Sequence, residues 1–182
     1  MAEPIQFPDG TFDFVILALG RSGSHMLASA LDSHPDIQCA AEIYAPNQRY
    51  PWLGIKKKKI RGTTVTPLQI ARVGAVSKAI VLTRNWRDRV KSTTMNENHA
   101  LSPCTAKILD EDLSYLEQEQ LEKDALLEQV AKRLECIRYS YEGMTENKDI
   151  RQIPENMGKE ICEFLGVEYQ PLIPAFYKPT YE

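Results

Sequence analysis

The sequence predicts an α/β fold built on a mainly parallel sheet, with right-handed crossovers and flanking helices. Three observations carry this reading. Residues 12–19 (FDFVILAL) and 79–82 (within KAIVLTR) are short, unbroken apolar runs, as strands buried on both faces should be. Each run leads through a polar or glycine-containing turn into a helical pattern. A third short stretch, residues 136–139, has strand length and lies between two helical segments.

Taken in order, the first run ends on Gly20-Arg21-Ser22-Gly23-Ser24. Met26, Leu27, Ala30 and Leu31 then recur at helical spacing until His34-Pro35 stops the pattern. Residues 52–60 read as a strand that includes four consecutive lysines, and alternation would place Lys56 and Lys58 on one face. The second buried strand, 79–82, is followed by a polar helix carrying Arg87, Lys91 and Ser92. A long acidic helix is expected over 110–134, with Leu113, Leu116, Leu127, Val130 and Leu134 mostly three or four apart. The last helix opens near Pro154, runs through Met157, Ile161, Phe164 and Leu165, and stops at Gly166. No repeat or linker interrupts the pattern, so a single domain over residues 1–182 is expected.

Composition narrows the function classes. Eleven prolines and nine glycines without a period exclude a collagen-like chain. No apolar run approaches the roughly 20 residues that span a bilayer. The opening MAEPIQFPDG lacks the basic and apolar regions of a signal peptide. Cys39, Cys104, Cys136 and Cys162 form no CxxC pair and have no His at zinc spacing. Reduced thiols, no metal and a cytoplasmic location are therefore expected. The net charge of −3 hides a segregation: residues 49–91 hold twelve Lys+Arg and one acid, leaving ten basic and twenty-four acidic residues elsewhere. Such a block suggests a polyanionic partner reached from one side.

A loop between a buried strand and a helix N-terminus offers unpaired backbone N–H groups, and the helix dipole favours an anion there. Gly20 and Gly23 allow close approach, Ser22 and Ser24 add hydroxyls, and Arg21 adds a planar charged fork suited to tetrahedral oxyanions. The same residues also fit a plain turn with a capping serine. A nucleotide-triphosphate loop would read GxxxxGK[ST], whereas ALGRSGSH puts Ser24 and His25 where Lys and Ser/Thr belong. No Asp follows a strand in position to hold Mg²⁺, which disfavours an NTPase or kinase.

GRSGSHMLASALDSHPDIQCAAE resembles the 5′-phosphosulfate loop of sulfotransferases, roughly [RK]-[ST]-G-[ST]-[ST] before a helix. Its continuation, L-D-x-H-P-D-x-x-C-x-x-E, is similar to tyrosylprotein sulfotransferases and to bacterial nodulation-type carbohydrate sulfotransferases. Arg84 to Ser92 resembles the family's 3′-phosphate motif, R-[DN]-P-R-D-x-x-x-S, with Trp86 in place of proline. YEGMTENKDI and GKEICEFLGVEY resemble the family's Y-E-D-L ending and its following helix, with Gly143-Met144 in place of Asp-Leu. The three matches occur in family order and frame residues 14–169. The chain is shorter than typical members, so a reduced acceptor-binding part is expected.

The resemblance implies a three-layer, P-loop-NTPase-like sulfotransferase fold. It also implies the co-substrate 3′-phosphoadenosine 5′-phosphosulfate (PAPS), released as 3′-phosphoadenosine 5′-phosphate (PAP), with no metal. Arg21 would stabilise the leaving group. The N–H groups of Gly23, Ser24, His25 and Met26, with Ser22, would hold the 5′-phosphate, and Arg84 and Ser92 the 3′-phosphate. Glu42, twenty-one residues after Arg21, matches the family's catalytic glutamate and is the candidate general base. His25 is the alternative base, and His34 reads as a helix-end cap. Lys56 resembles a strand lysine near the sulfuryl group, although a basic edge strand would also explain the run of lysines. Lys178 resembles a C-terminal basic loop. The acceptor would be a hydroxyl of a sugar, a peptide tyrosine or a small alcohol, with neither nucleic acid nor membrane as partner. Alternatives are a nucleic-acid-binding module using residues 49–91 and a non-catalytic nucleotide binder.

Overall fold

The structure, a computed structural model, describes residues 12–41, 58–94, 114–145 and 152–174. Five strands form one sheet in the order β2-β3-β1-β4-β5: β1 (Phe14–Ala18), β2 (Ile37–Ala40), β3 (Ile60–Val65), β4 (Lys78–Thr83) and β5 (Glu135–Ser140). Every neighbouring pair is parallel. The helices are α1 (Ser24–Asp32), α2 (Trp86–Thr94), α3 (Ser114–Ala131), the single turn α4 (Tyr141–Met144) and α5 (Glu155–Leu165). A 3₁₀ helix, Pro67–Arg72, joins β3 to β4.

The central strand β1 is apolar throughout because both its faces are covered. Phe14, Ile16 and Ala18 point into a core layer with Leu27 and Leu31 of α1 and Ile161 and Leu165 of α5. Val15 and Leu17 point the other way, onto Leu127 and Ala131 of α3. The result is helix, sheet, helix: the expected α/β three-layer architecture. Among the described residues, no helix is long and apolar enough to cross a membrane.

Two parts of the sequence reading need correction. Residues 58 and 59 precede the third strand, which begins at Ile60 and continues to Val65; residues 52–57 lie outside the described residues. Lys58 therefore stands outside the strand. Its Nζ instead donates to the carbonyls of Asp32 (2.7 Å), His34 (3.0 Å) and Ile37 (2.9 Å), stapling the turn between α1 and β2. The edge strand β2 had no sequence assignment, being only four residues long and containing Gln38. Gly62 and three hydroxyl or charged residues disguise β3 in the same way. Gly62 stands opposite Phe14 in the register, and a Cβ there would fall within the Phe14 ring.

The remaining elements follow expectation closely. The acidic helix is observed over Ser114–Ala131, and residues 110–113 lie outside the described residues. The strand expected at 136–139 is one residue longer at each end. Helix α5 ends on Gly166 at φ +73, whose N–H reaches back to the Cys162 and Glu163 carbonyls, as a left-handed glycine stop should. His34 is buried and its ring is fixed from both sides. Nδ1 accepts from the Asp36 N–H at 3.1 Å, so Nε2 is the donor to the Glu168 carbonyl at 2.9 Å. His34 thus ties the end of α1 to the segment after α5, rather than capping the helix carbonyls.

Candidate active site

The three sequence motifs follow β1, β4 and β5, which are adjacent in the sheet. Ala18 pairs with Leu82, and Thr83 pairs with Ser140, so the residues that follow emerge side by side at the carboxyl edge. The chain leaves β1 toward β2 and leaves β4 toward β5, on opposite sides of the sheet. A crevice for a ligand belongs at such a switch point.

The loop after β1 carries two residues in the left-handed region. Arg21 has φ +65, the one described non-glycine residue in the left-handed region, and Gly23 has φ +83. Left-handed residues interspersed in a turn are the backbone pattern in which successive N–H groups can converge on an anion. Gly23 is the N-cap of α1 and carries no side chain to bond the first turn. The N–H groups that open a helix have no intrahelical acceptor, and here no capping side chain substitutes for one. Ser22 Oγ is fully buried without a hydrogen-bond partner. Ser24 and His25 open α1, with His25 exposed, and Met26 is half-buried against the core.

Arg21, Arg84 and Ser92 come together at this edge of the sheet. Arg21 Nε donates to Ser92 Oγ at 3.1 Å, and Arg84 Nη1 donates to the Arg21 carbonyl at 2.9 Å. Arg84 Nε is buried without a partner. Ser92 lies in the second turn of α2 and faces back toward the loop, as the sequence reading expects. Asn85 caps α2 through Oδ1, which accepts from the Arg87 N–H at 2.9 Å. Trp86, where the family motif carries proline, lies under the Arg87 guanidinium at 4.9 Å.

Two site residues had no assigned role in the sequence. The Tyr141 ring carries the Arg84 guanidinium 4.1 Å from its centroid. The same ring abuts the loop: a Cβ on Gly23 would come within 2.6 Å of Tyr141 Cδ2. Glu142 Oε1 accepts from the Asn85 N–H at 3.2 Å. Tyr and Glu of the third motif thereby join the first two motifs into one cluster. The match of YEGM to a family pattern was the available signal, but the pattern alone did not say what these side chains touch.

A cavity of about 370 Å³ runs beside α1 and is lined by His25, Ala28, Ser29, Asp32, Cys39 and Ala41, among others. Burial, and then the Asp32 carboxylate, push the Cys39 thiol far up, with Lys58 offsetting only part. Cys39 is therefore a neutral wall of this cavity and no nucleophile. The candidate base Glu42, the lysine Lys56 and Lys178 lie outside the described residues.

No family model and no curated protein matches the chain. Solved structures do. A sulfotransferase from Alicyclobacillus acidocaldarius is 18% identical at a TM-score of 0.56, over 94% of this chain and 85% of that one. Mouse sulfotransferase SULT7A1, complexed with PAP, is 19% identical at a TM-score of 0.56, over 90% of this chain and 61% of that one. At these identities the likeness is one of architecture. The chain has the sulfotransferase fold, and its three motifs meet at the carboxyl edge of that fold's sheet.

Proposed function

We propose that the chain is a sulfotransferase that moves the sulfuryl group of PAPS to an acceptor hydroxyl. The observation that carries this reading is the convergence of Arg21, Arg84 and Ser92 around two buried donors without partners, Ser22 Oγ and Arg84 Nε. A buried polar group without a partner costs about 1–3 kcal/mol, so both are suited to an anion that would satisfy them. The arrangement offers two separate anion positions: the N-terminus of α1 for a 5′-phosphate, and Arg84 with Ser92 for a 3′-phosphate. The PAP in the mouse structure supports a donor of this class.

When bound, the donor supplies an activated sulfuryl group on its 5′-phosphate. The residues do the rest by position and charge, as in phosphoryl transfer. Ser22 and the N–H groups of Gly23, Ser24, His25 and Met26 hold the 5′-phosphate. Arg21, anchored through Nε on Ser92, keeps its two terminal nitrogens for charge that gathers on the leaving oxygen. Glu42 removes the acceptor proton and Lys56 adds positive charge at the sulfuryl group. The chain enters Glu42 directly from Ala41, a wall of the cavity beside α1, which supports that cavity as the approach of the acceptor. The acceptor is a sugar, a peptide tyrosine or a small alcohol.

Calorimetric titration with PAP, AMP and ATP tests the donor assignment. One charge-assisted hydrogen bond from each of Arg84 and Ser92 amounts to about 3 kcal/mol, so PAP should bind about 100-fold tighter than AMP. Equal affinity for AMP would remove the role given to Arg84 and Ser92. Glu42→Gln should lower the transfer rate about 100-fold or more with PAP affinity intact. An unchanged rate would remove Glu42 as the base.

A further inference from the structure

One charged pair near the site joins an unspecified position of the Arg84–Ser92 motif, Arg89, to a helix outside all three motifs. Arg89, in the first turns of α2, is only 3% exposed. Its guanidinium meets the Asp124 carboxylate of α3 with both forks, Nη1 to Oδ1 at 2.7 Å and Nη2 to Oδ2 at 3.1 Å. Nη1 also donates to the Arg84 carbonyl at 3.2 Å, and Nη2 lies 3.4 Å from Gln120 Oε1. The arginine is thus fixed in α3 at one end and grips the backbone of Arg84 at the other.

Helix α3 explains why the pair is there. Gln120, Asp124, Leu127 and Ala131 follow one another at spacings of four, three and four, a single helical stripe. Leu127 and Ala131 pack on the sheet as an amphipathic helix should. The stripe turns polar at Asp124 and Gln120, where it meets α2. Asp124, its side chain 37% exposed, draws the buried Arg89 guanidinium onto this stripe, and such breaks in an apolar pattern cluster at functional sites. An Arg–carboxylate pair with the arginine buried and the carboxylate half-exposed is seldom needed for stability, because apolar residues of similar volume often replace such pairs without loss.

We propose that Asp124 and Arg89 are positioning residues for the 3′-phosphate site: Asp124 orients Arg89, and Arg89 holds the Arg84 backbone so that the Arg84 guanidinium and Ser92 face one anion. This rests on the donor reading given under Proposed function. It makes α3 part of the support of the site, although α3 contributes no group to the ligand. AMP binds at the N-terminus of α1 and lacks a 3′-phosphate, so the pair bears on PAP affinity and not on AMP affinity.

The test uses the full chain carrying Arg89→Met together with Asp124→Leu, which keeps the volume and apolar continuity of the interface, beside Asp124→Asn alone. Thermal unfolding by circular dichroism establishes that each variant is folded. Titrations with PAP and AMP then give the affinity ratio. The ratio should fall about tenfold in the double variant and in Asp124→Asn, through PAP alone, the loss of about one charge-assisted hydrogen bond. A folded double variant with the wild-type ratio overturns the positioning role and leaves the donor reading standing. A wild-type protein that binds AMP as tightly as PAP overturns the donor reading, and the positioning role with it. A drop in both affinities alike overturns the proposal too, because it would mean general disorder of the site.

Discussion

Gly23→Ala probes the tightest junction in the site, and its cost separates into two parts. The first is backbone. Gly23 sits at φ +83, ψ 11, and an L residue in the left-handed region costs about 1–2 kcal/mol. The second is space. The new Cβ would lie 2.6 Å from Tyr141 Cδ2, 3.1 Å from Cε2 and 3.2 Å from Met144 Cε. The methionine end can move aside, but the Tyr141 ring is held between the loop and Arg84, and forcing it costs about 1–3 kcal/mol. Together the variant should lose about 2–5 kcal/mol, which lowers the melting temperature by about 10 °C in a chain of this size. Urea unfolding of the wild type, Gly23→Ala, Tyr141→Ala and the double variant closes a cycle. Removing the ring abolishes the second cost and leaves the first, so Gly23→Ala should cost only about 1–2 kcal/mol in the Tyr141→Ala background, a coupling of about 1–3 kcal/mol. Equal costs in both backgrounds, within about 0.5 kcal/mol, would refute the contact between ring and loop.

Other perturbations test separate parts of the structure. Lys58→Met removes the donor shared by three carbonyls and should cost about 2 kcal/mol in urea unfolding while PAP affinity stays unchanged; a loss of PAP affinity at full stability would return this lysine to the site. Gly62→Ala sets a methyl against the Phe14 ring and should cost about 1–3 kcal/mol, with Phe14→Leu recovering part of it. Cys39 is pushed up chiefly by burial, and Tyr139 is pushed up by burial and then by its bond to Glu160. Both groups are held in their neutral forms when folded, so the Cys39 contribution is complete below about 8.5 and the Tyr139 contribution below about 10, and each is lost as pH rises above that value. Urea midpoints should therefore fall steadily from pH 8.5 to 10.5, less steeply in Cys39→Ala, and a flat profile in the wild type would contradict the assignment.

The strands that were legible in the sequence are those whose burial is reflected in their own composition. Residues 14–18 and 79–82 are apolar because helices cover both faces. β3 was not legible because its burial depends on other strands. Gly62 reads as a breaker until the Phe14 ring is placed over it. Thr63 reads as surface until its hydroxyl is found bonded to the Ala40 carbonyl at 3.1 Å. The site divides in the same way. Arg21, Arg84 and Ser92 were legible through the resemblance to the family's motifs, and the three side chains lie together. Tyr141 and Glu142 act through partners more than fifty residues away, and Asp124 through one thirty-five residues away, so no local pattern declares their roles.

The basic block over residues 49–91 takes on a different meaning once its described members are located. A nucleic-acid surface needs several exposed cations free to replace the counterions of successive phosphates. Here Lys58 is turned onto three carbonyls, and Lys78 onto the Phe164 carbonyl at 2.6 Å and the Phe164 ring. Arg89 is neutralised by Asp124, and Arg87 stacks on Trp86. These charges hold the turn after α1, the end of α5, the join of α2 to α3 and the start of α2, where carbonyls and a carboxylate need donors. Arg84 differs from these four, since its Nε is without a partner and its Nη1 donates to the carbonyl of Arg21, which bears the other site guanidinium. Two guanidiniums are thereby linked through one peptide carbonyl. Part of the charge clustered in the sequence is thus engaged within the fold, so the block offers a polyanion fewer free cations than its composition suggests.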